Sequence, residues 1–173
     1  ILGLMMCFDL GGPVNKAAYL FATAGLSTGD ESSMQIMAAV MASGMVAPIA
    51  LSLATFIRKS LFTPAEQENG KSAWLLGLSF VSEGAIPFAA ADPFRVIPSM
   101  MAGGAVTGAI SMALSVGSRA PHGGVFVFFA IDPFWGYLVA IAAGVVVSTA
   151  AVLAMKQFWP NKAVEEAAQN VAA

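Results

Sequence analysis

The chain has 173 residues, 58% of them hydrophobic and 10% charged, where an ordinary soluble domain carries about 25% charged residues. Eight Lys and Arg with ten Asp and Glu cannot cover a water-facing surface of that size, and a net charge of −2 offers no basic field for nucleic acid. Composition therefore excludes a soluble globular domain and a disordered chain, and leaves lipid as the solvent; the single cysteine, Cys7, excludes an internal disulfide and a cysteine-built metal site.

Residues 1–8 are apolar with no basic lead-in, so they do not read as a signal peptide. The chain opens at Ile1 inside a hydrophobic stretch and reads as part of a longer membrane protein. A polar break follows, Asp9-Leu10-Gly11-Gly12-Pro13-Val14-Asn15-Lys16, and then an uncharged stretch, 17–29, too short to span a bilayer. Residues 32–57 carry no charge over 26 positions, enough for roughly 39 Å of helix, and predict a first transmembrane helix, kinked at Pro48. The loop 58–71 is polar and contains Arg58, Lys59 and Lys71. Short apolar stretches, 72–82 and 84–91, then flank a second break, Ser82-Glu83-Gly84-Ala85-Ile86-Pro87-Phe88.

Two further charge-free runs of 23 residues, 96–118 and 133–155, predict the second and third spans. Between them lie a weaker break at Arg119–Gly124 and an apolar stretch, 120–131, expected to be half-inserted or buried against protein. Small residues recur at four-residue spacing, as Ala38, Ala42, Ala50 and Ala54, as Gly104 and Gly108, as Ala109, Ala113 and Gly117, and as Ala140, Gly144 and Ser148; this spacing suits close helix packing in lipid. Residues 159–173 read as a polar tail.

Basic residues at 58–71 and at Lys156 and Lys162 place both regions in the cytoplasm by the positive-inside rule, with Asp30, Glu31 and the neighbourhood of Asp132 outside. The parity closes only if 72–92 enters and returns on the cytoplasmic side, while the Gly11–Lys16 break is approached from outside. The expectation is an all-α integral membrane protein with about three full transmembrane helices plus re-entrant helical hairpins, one from each face, as in transporters.

Asn69-Gly70-Lys71-Ser72 resembles the end of a phosphate-binding loop, but the motif needs a glycine where Ala65 stands, and it is rejected. No metalloprotease helix, zinc spacing or serine-nucleophile elbow occurs, so neither metal nor cofactor is expected. Glu83 is the principal candidate. A carboxylate at the bilayer centre costs about 2.5–3.5 kcal/mol by insertion scales, so it should face protein, water or ligand. Two roles stay open for it: contact with a ligand, whose hydroxyls it can bind or deprotonate, and capping of the amides of the following half-helix. Asn15 and Lys16 at the first break suit a polyol, although Lys16 could instead neutralise Asp9. Asp92 and Arg95 are either ligand groups or an ion pair at spacing three; His122 in Pro-His-Gly-Gly is either a site residue or structural.

Three blocks in order carry a resemblance to a known family. Residues Asp9–Tyr19, Ser82–Pro98 (with Glu83-Gly84-Ala85-Ile86-Pro87-Phe88) and Ala120–Phe126 resemble the fructose-specific IIC membrane component of the bacterial phosphoenolpyruvate-dependent sugar phosphotransferase system, over roughly residues 1–158. The resemblance is to the C-terminal, sugar-binding half of a IIC domain. It implies an inner-membrane, multi-pass protein that binds fructose or a related hexose and carries it across. A phosphorylated IIB domain, bearing phosphohistidine or phosphocysteine, then converts fructose to fructose 1-phosphate.

The implied partners are the sugar, phospho-IIB, the N-terminal half of IIC, the bilayer, and a second copy in a full-length homodimer. The implied catalytic residue is Glu83, with Asn15, Lys16, Gly84, His122, Asp92 and Arg95 as substrate-binding candidates; this chain itself carries no phosphoryl donor. Two rival readings remain: an ion-coupled secondary sugar transporter, which would move sugar unmodified, and a non-transporting membrane subunit.

Overall fold

The computed structural model describes residues 1–159 and, beyond them, 162, 165, 166, 169 and 170. Most of the tail expected over 159–173 lies outside the described residues. The chain is almost wholly helical: α1 (Leu2–Phe8), α2 (Pro13–Leu26), α3 (Glu31–Ile57), α4 (Pro64–Leu78), α5 (Ile86–Ala91), α6 (Pro93–Ala113) and α7 (Phe134–Phe158). Three of these, α3, α6 and α7, are long and apolar enough to cross a membrane.

The central element is α3. Its span window is 83% buried against 39% for α6 and α7, so the other elements wrap around it. Asp30 caps its N-terminus by accepting from the Ser33 amide, and hydrogen bonds from Ser33 and from Thr28 hold the Asp30 carboxyl below the usual carboxylate range. The helix continues through Pro48. A proline has no N–H, which frees the carbonyl four residues earlier, that of Gly44; the Ser82 hydroxyl donates to this oxygen at 2.9 Å. Gly44 is the middle residue of the 27-residue helix, so this bond lies at mid-depth.

The second hairpin can be followed along α3. From the C-terminal end of α3 towards its middle, Gly70 of α4 lies against Thr55, Gly77 against Ile49, and the Phe80 ring against Gly44. The chain then turns back through a 3₁₀ turn, Ser82–Ala85, and α5. Asn69 donates to the Gly84 carbonyl at 3.1 Å, tying the two legs together. The hairpin starts and ends at one place: Glu66, near the start of α4, and Asp92, at the end of α5, both contact Lys156 of α7, at 3.4 and 3.2 Å. Segment 72–92 is therefore re-entrant. The first hairpin mirrors it from the other end of α3: Gly25 near the end of α2 sits beside Ser33, while Met6 of α1 reaches Gly44.

Several details differ from the sequence reading. The second span runs Pro93–Ala113 rather than 96–118. Arg95 does not bound it, because its charge is buried and paired with Asp92 at 3.1 Å; the far end stops at Leu114, where Ser115 takes φ +52. Ala109 and Ala113 face outward, and the close contact of α6 with α7 is made by Gly103 and Thr107 against Gly144 and Ser148. Segment 120–131, by contrast, does not cross, as expected: Gly117–Ser118 (β1) pairs antiparallel with Ile131–Asp132 (β2), so the chain leaves and returns at one point. Within it Val125 and Val127 pack on the core while Phe126, Phe128 and Phe129 are exposed.

Candidate functional site: a cavity between the hairpin tips

The two breaks meet. Gly11, in the left-handed region at φ +104, lies so close to Glu83 that a Cβ on it would stand 2.8 Å from Glu83 Oε1; only glycine fits there. Around this contact is a cavity of about 460 Å³, lined by Gly11, Asn15, Lys16, Tyr19, Val81 and Glu83 together with Phe80, Ser82 and His122. That volume falls within the roughly 300–1,000 Å³ usual for small-molecule sites. Because Ser82 is bonded to the midpoint of α3, the cavity lies level with the middle of that helix.

At the first break, the Asp9 carboxylate accepts from the amides of Val14 at 2.7 Å and Asn15 at 2.9 Å, satisfying donors at the start of α2. Lys16 makes no ion pair with it; the helix amides neutralise Asp9 instead, and the Lys16 side chain extends into the cavity. The Asn15 side-chain amide donates to the Met6 carbonyl at 2.6 Å, which holds α2 against the end of α1, and Asn15 lines the cavity.

At the second break, Glu83 is exposed to the cavity and has no hydrogen-bond or ion-pair partner among the described residues. It does not cap the following half-helix: α5 begins at Ala85 without a side-chain cap. A carboxylate with no partner among the described residues can accept from hydroxyls of a polar ligand or take a proton. His122 arrives from the loop after α6. There Gly124, at φ +61, packs its Cα directly on the Leu78 carbonyl, leaving no space for a side chain and laying the loop over the end of α4.

Gly84, Asp92 and Arg95 do not line the cavity. Gly84 accepts from Asn69 in the hairpin, as described. Asp92 and Arg95 belong to a buried ion network with Glu66 and Lys156, in which the Glu66 carboxylate also accepts from the Thr63 amide at 2.8 Å, Lys156 lies over the Phe62 ring and Arg95 over Trp159. Three cavity residues escaped the sequence reading, Tyr19, Phe80 and Val81. Tyr19 stood inside the first quoted block without being singled out, and Phe80 lies in the left-handed region at φ +65, which no residue pattern announces.

Two hairpins dipping towards each other from opposite ends of a central helix, with a cavity that combines apolar walls and the polar groups of Asn15, Lys16, Glu83 and His122 at their meeting point, define an all-α membrane protein of the transporter type. No family model matches the chain, and no solved structure matches it. Among curated proteins it is 56% identical over 160 residues to the PTS system fructose-specific EIIB'BC component of Escherichia coli (strain K12), covering 91% of this chain and 28% of that protein. It is 48% identical over 170 residues to the PTS system fructose-specific EIIC component of Haloferax volcanii, covering 98% of this chain and 44% of that protein. It is also 48% identical over 147 residues to the PTS system fructose-specific EIIABC component of Bacillus subtilis (strain 168), covering 85% and 23%. The chain belongs to the family of these phosphotransferase-system components, and it spans less than half the length of each of them.

Proposed function

We propose that residues 1–158 form the C-terminal, sugar-binding half of an EIIC membrane domain within a longer protein, followed by a cytoplasmic tail. The protein lies in the bacterial inner membrane as a homodimer, with the ion-network end in the cytoplasm. Fructose or a related hexose binds between the hairpin tips, is carried across, and leaves as fructose 1-phosphate after transfer from a phosphorylated EIIB domain. The observation that carries this reading is the unpartnered Glu83 carboxylate in a mid-depth cavity.

In the transfer, the sugar's 1-hydroxyl oxygen forms the new bond to phosphorus as the phosphorus–nitrogen or phosphorus–sulfur bond of phospho-EIIB breaks. The hydroxyl proton passes to Glu83. Most of the catalysis is positioning and charge stabilisation. Asn15 and His122 hold other hydroxyls, and Lys16 supplies the positive charge that an incoming phosphoryl group requires. Gly84, Asp92 and Arg95 act through the hairpin they support.

The test is Glu83→Gln in the full-length protein, with sugar binding and phospho-EIIB-dependent phosphorylation measured on one preparation. Phosphorylation should fall by about 10²-fold or more while binding weakens much less. Unchanged phosphorylation refutes the role of Glu83, and equal loss of both makes it a binding residue only. Accumulation of unmodified sugar driven by an ion gradient would establish a secondary transporter instead, and absence of saturable sugar binding would establish a non-transporting subunit. Orientation is checked separately: cysteines placed at Asn69 and Lys162 should label from the cytoplasmic side alone.

A further inference from the structure

Part of the cavity is aromatic, and two of its rings, those of Tyr19 and Phe80, take no part in the phosphoryl transfer proposed above. Tyr19 comes from α2, Phe80 from the break after α4 and His122 from the loop after α6, three separate elements whose rings converge. Their centroids stand 5.9 Å apart for Tyr19 and Phe80, 5.1 Å for Phe80 and His122, and 6.5 Å for Tyr19 and His122. The rings are tilted or edge-on to one another, at 50°, 54° and 86°, so none is stacked flat on its neighbour.

Phe80 is the fixed member. A bulky residue at φ +65 is in an unfavourable backbone region and persists only where its surroundings hold it; here the ring is wedged into the notch that Gly44 leaves at the middle of α3. Such residues concentrate at ligand clamps. Phe80 also stands three residues before Glu83, so one short segment delivers both a flat apolar surface and a hydroxyl acceptor to the same cavity.

A ring-closed sugar has that same division. One face of the ring presents C–H groups that pack on an aromatic surface, while its hydroxyls point outward to polar partners. An acyclic hexitol carries six hydroxyls against the five of a ring-closed hexose but has no rigid apolar face, and must be ordered on binding. We propose that Phe80 and Tyr19 are specificity-determining residues that make the cavity prefer a ring-closed hexose over an acyclic hexitol. This rests on the sugar-site reading above.

The test measures equilibrium binding of fructose and of mannitol to the full-length protein. Wild type should bind fructose at least tenfold more tightly than mannitol. Phe80→Leu should weaken fructose about tenfold and leave mannitol within twofold, collapsing the preference. Because Phe80 is buried and its backbone unusual, Tyr19→Leu, at a half-buried position, serves as the second variant and should collapse the preference in the same direction; Tyr19→Phe, which keeps the ring, should retain it. Equal weakening of both ligands, or an undiminished preference in Tyr19→Leu, overturns the inference while leaving the sugar site standing. Wild type that binds neither ligand saturably overturns the sugar site itself, and the inference with it.

Discussion

The two hairpin tips are built from the same parts and use them differently. Each has an acid, a glycine and a proline, and each carries one apolar residue in the left-handed region, Leu10 at φ +48 and Phe80 at φ +65. At the first tip the acid is consumed: Asp9 stands four residues before Pro13, far enough outside α2 for its carboxylate to reach back to the helix amides. At the second tip Glu83 lies inside the 3₁₀ turn, and the helix after it starts without a cap. The two carboxylates stand four and three residues before the helices that follow them, yet only Asp9 is bonded to helix amides.

The comparison is put under most strain by removing what holds the second hairpin. Lys156→Met leaves Glu66 and Asp92 buried without their shared cation and should cost on the order of 3–5 kcal/mol, read as a large drop in the Tm of the purified protein. Glu66→Gln added to it should recover part of the loss, since it removes the carboxylate left without a cation, whereas Asp92 keeps Arg95. Gly11→Ala comes next. It forces a side chain into φ +104 and into the Glu83 carboxylate, so we expect a stability loss of roughly 1–2 kcal/mol, with a loss of sugar phosphorylation larger than that destabilisation explains.

Asp9→Ala should cost about 1–2 kcal/mol of stability as a lost cap, while the protein that remains folded keeps its sugar affinity; a pronounced affinity loss would mean that Asp9, like Glu83, serves the ligand. The smallest effect is at the outer end of α3. Hydrogen bonds hold the Asp30 carboxyl below its ordinary value of 3.8, so its contribution is present above that pH and is lost as pH falls through the lower folded value. Hydrogen-exchange protection of the first turn of α3 should decline in that acid range, and Asp30→Asn should remove the decline.

Much of this architecture was legible because charge is so expensive in lipid. The charge-free runs located α3 to within one residue and the start of α7 likewise, although α7 runs three residues past its expected end, and parity alone required 72–92 to turn back. The same rule misplaced the start of α6. It treats every Arg as a boundary, and Arg95 is inside, neutralised by Asp92 and by a network whose members Glu66 and Lys156 are 90 positions apart. Glu83, Asn15, Lys16 and His122 could be singled out because polar residues at breaks stand out against an apolar background. Tyr19 and Phe80 could not, since aromatic residues are ordinary in membrane helices and their convergence depends on how three elements dock.

The bond between Ser82 and the Gly44 carbonyl ties the fate of one residue to another far from it in the chain. That oxygen is available only because Pro48 has no N–H to offer it, so the usefulness of Ser82 is conditional on Pro48. Ser82→Ala in the natural background should be deleterious by about 0.6 kcal/mol, the average for such bonds in membranes. In a Pro48→Ala background, where the helix can close its own hydrogen bond, the same change should be close to silent. A double-mutant cycle would read this as epistasis. The two positions, 34 apart in the chain, would then drift together: a lineage that loses the proline releases the serine.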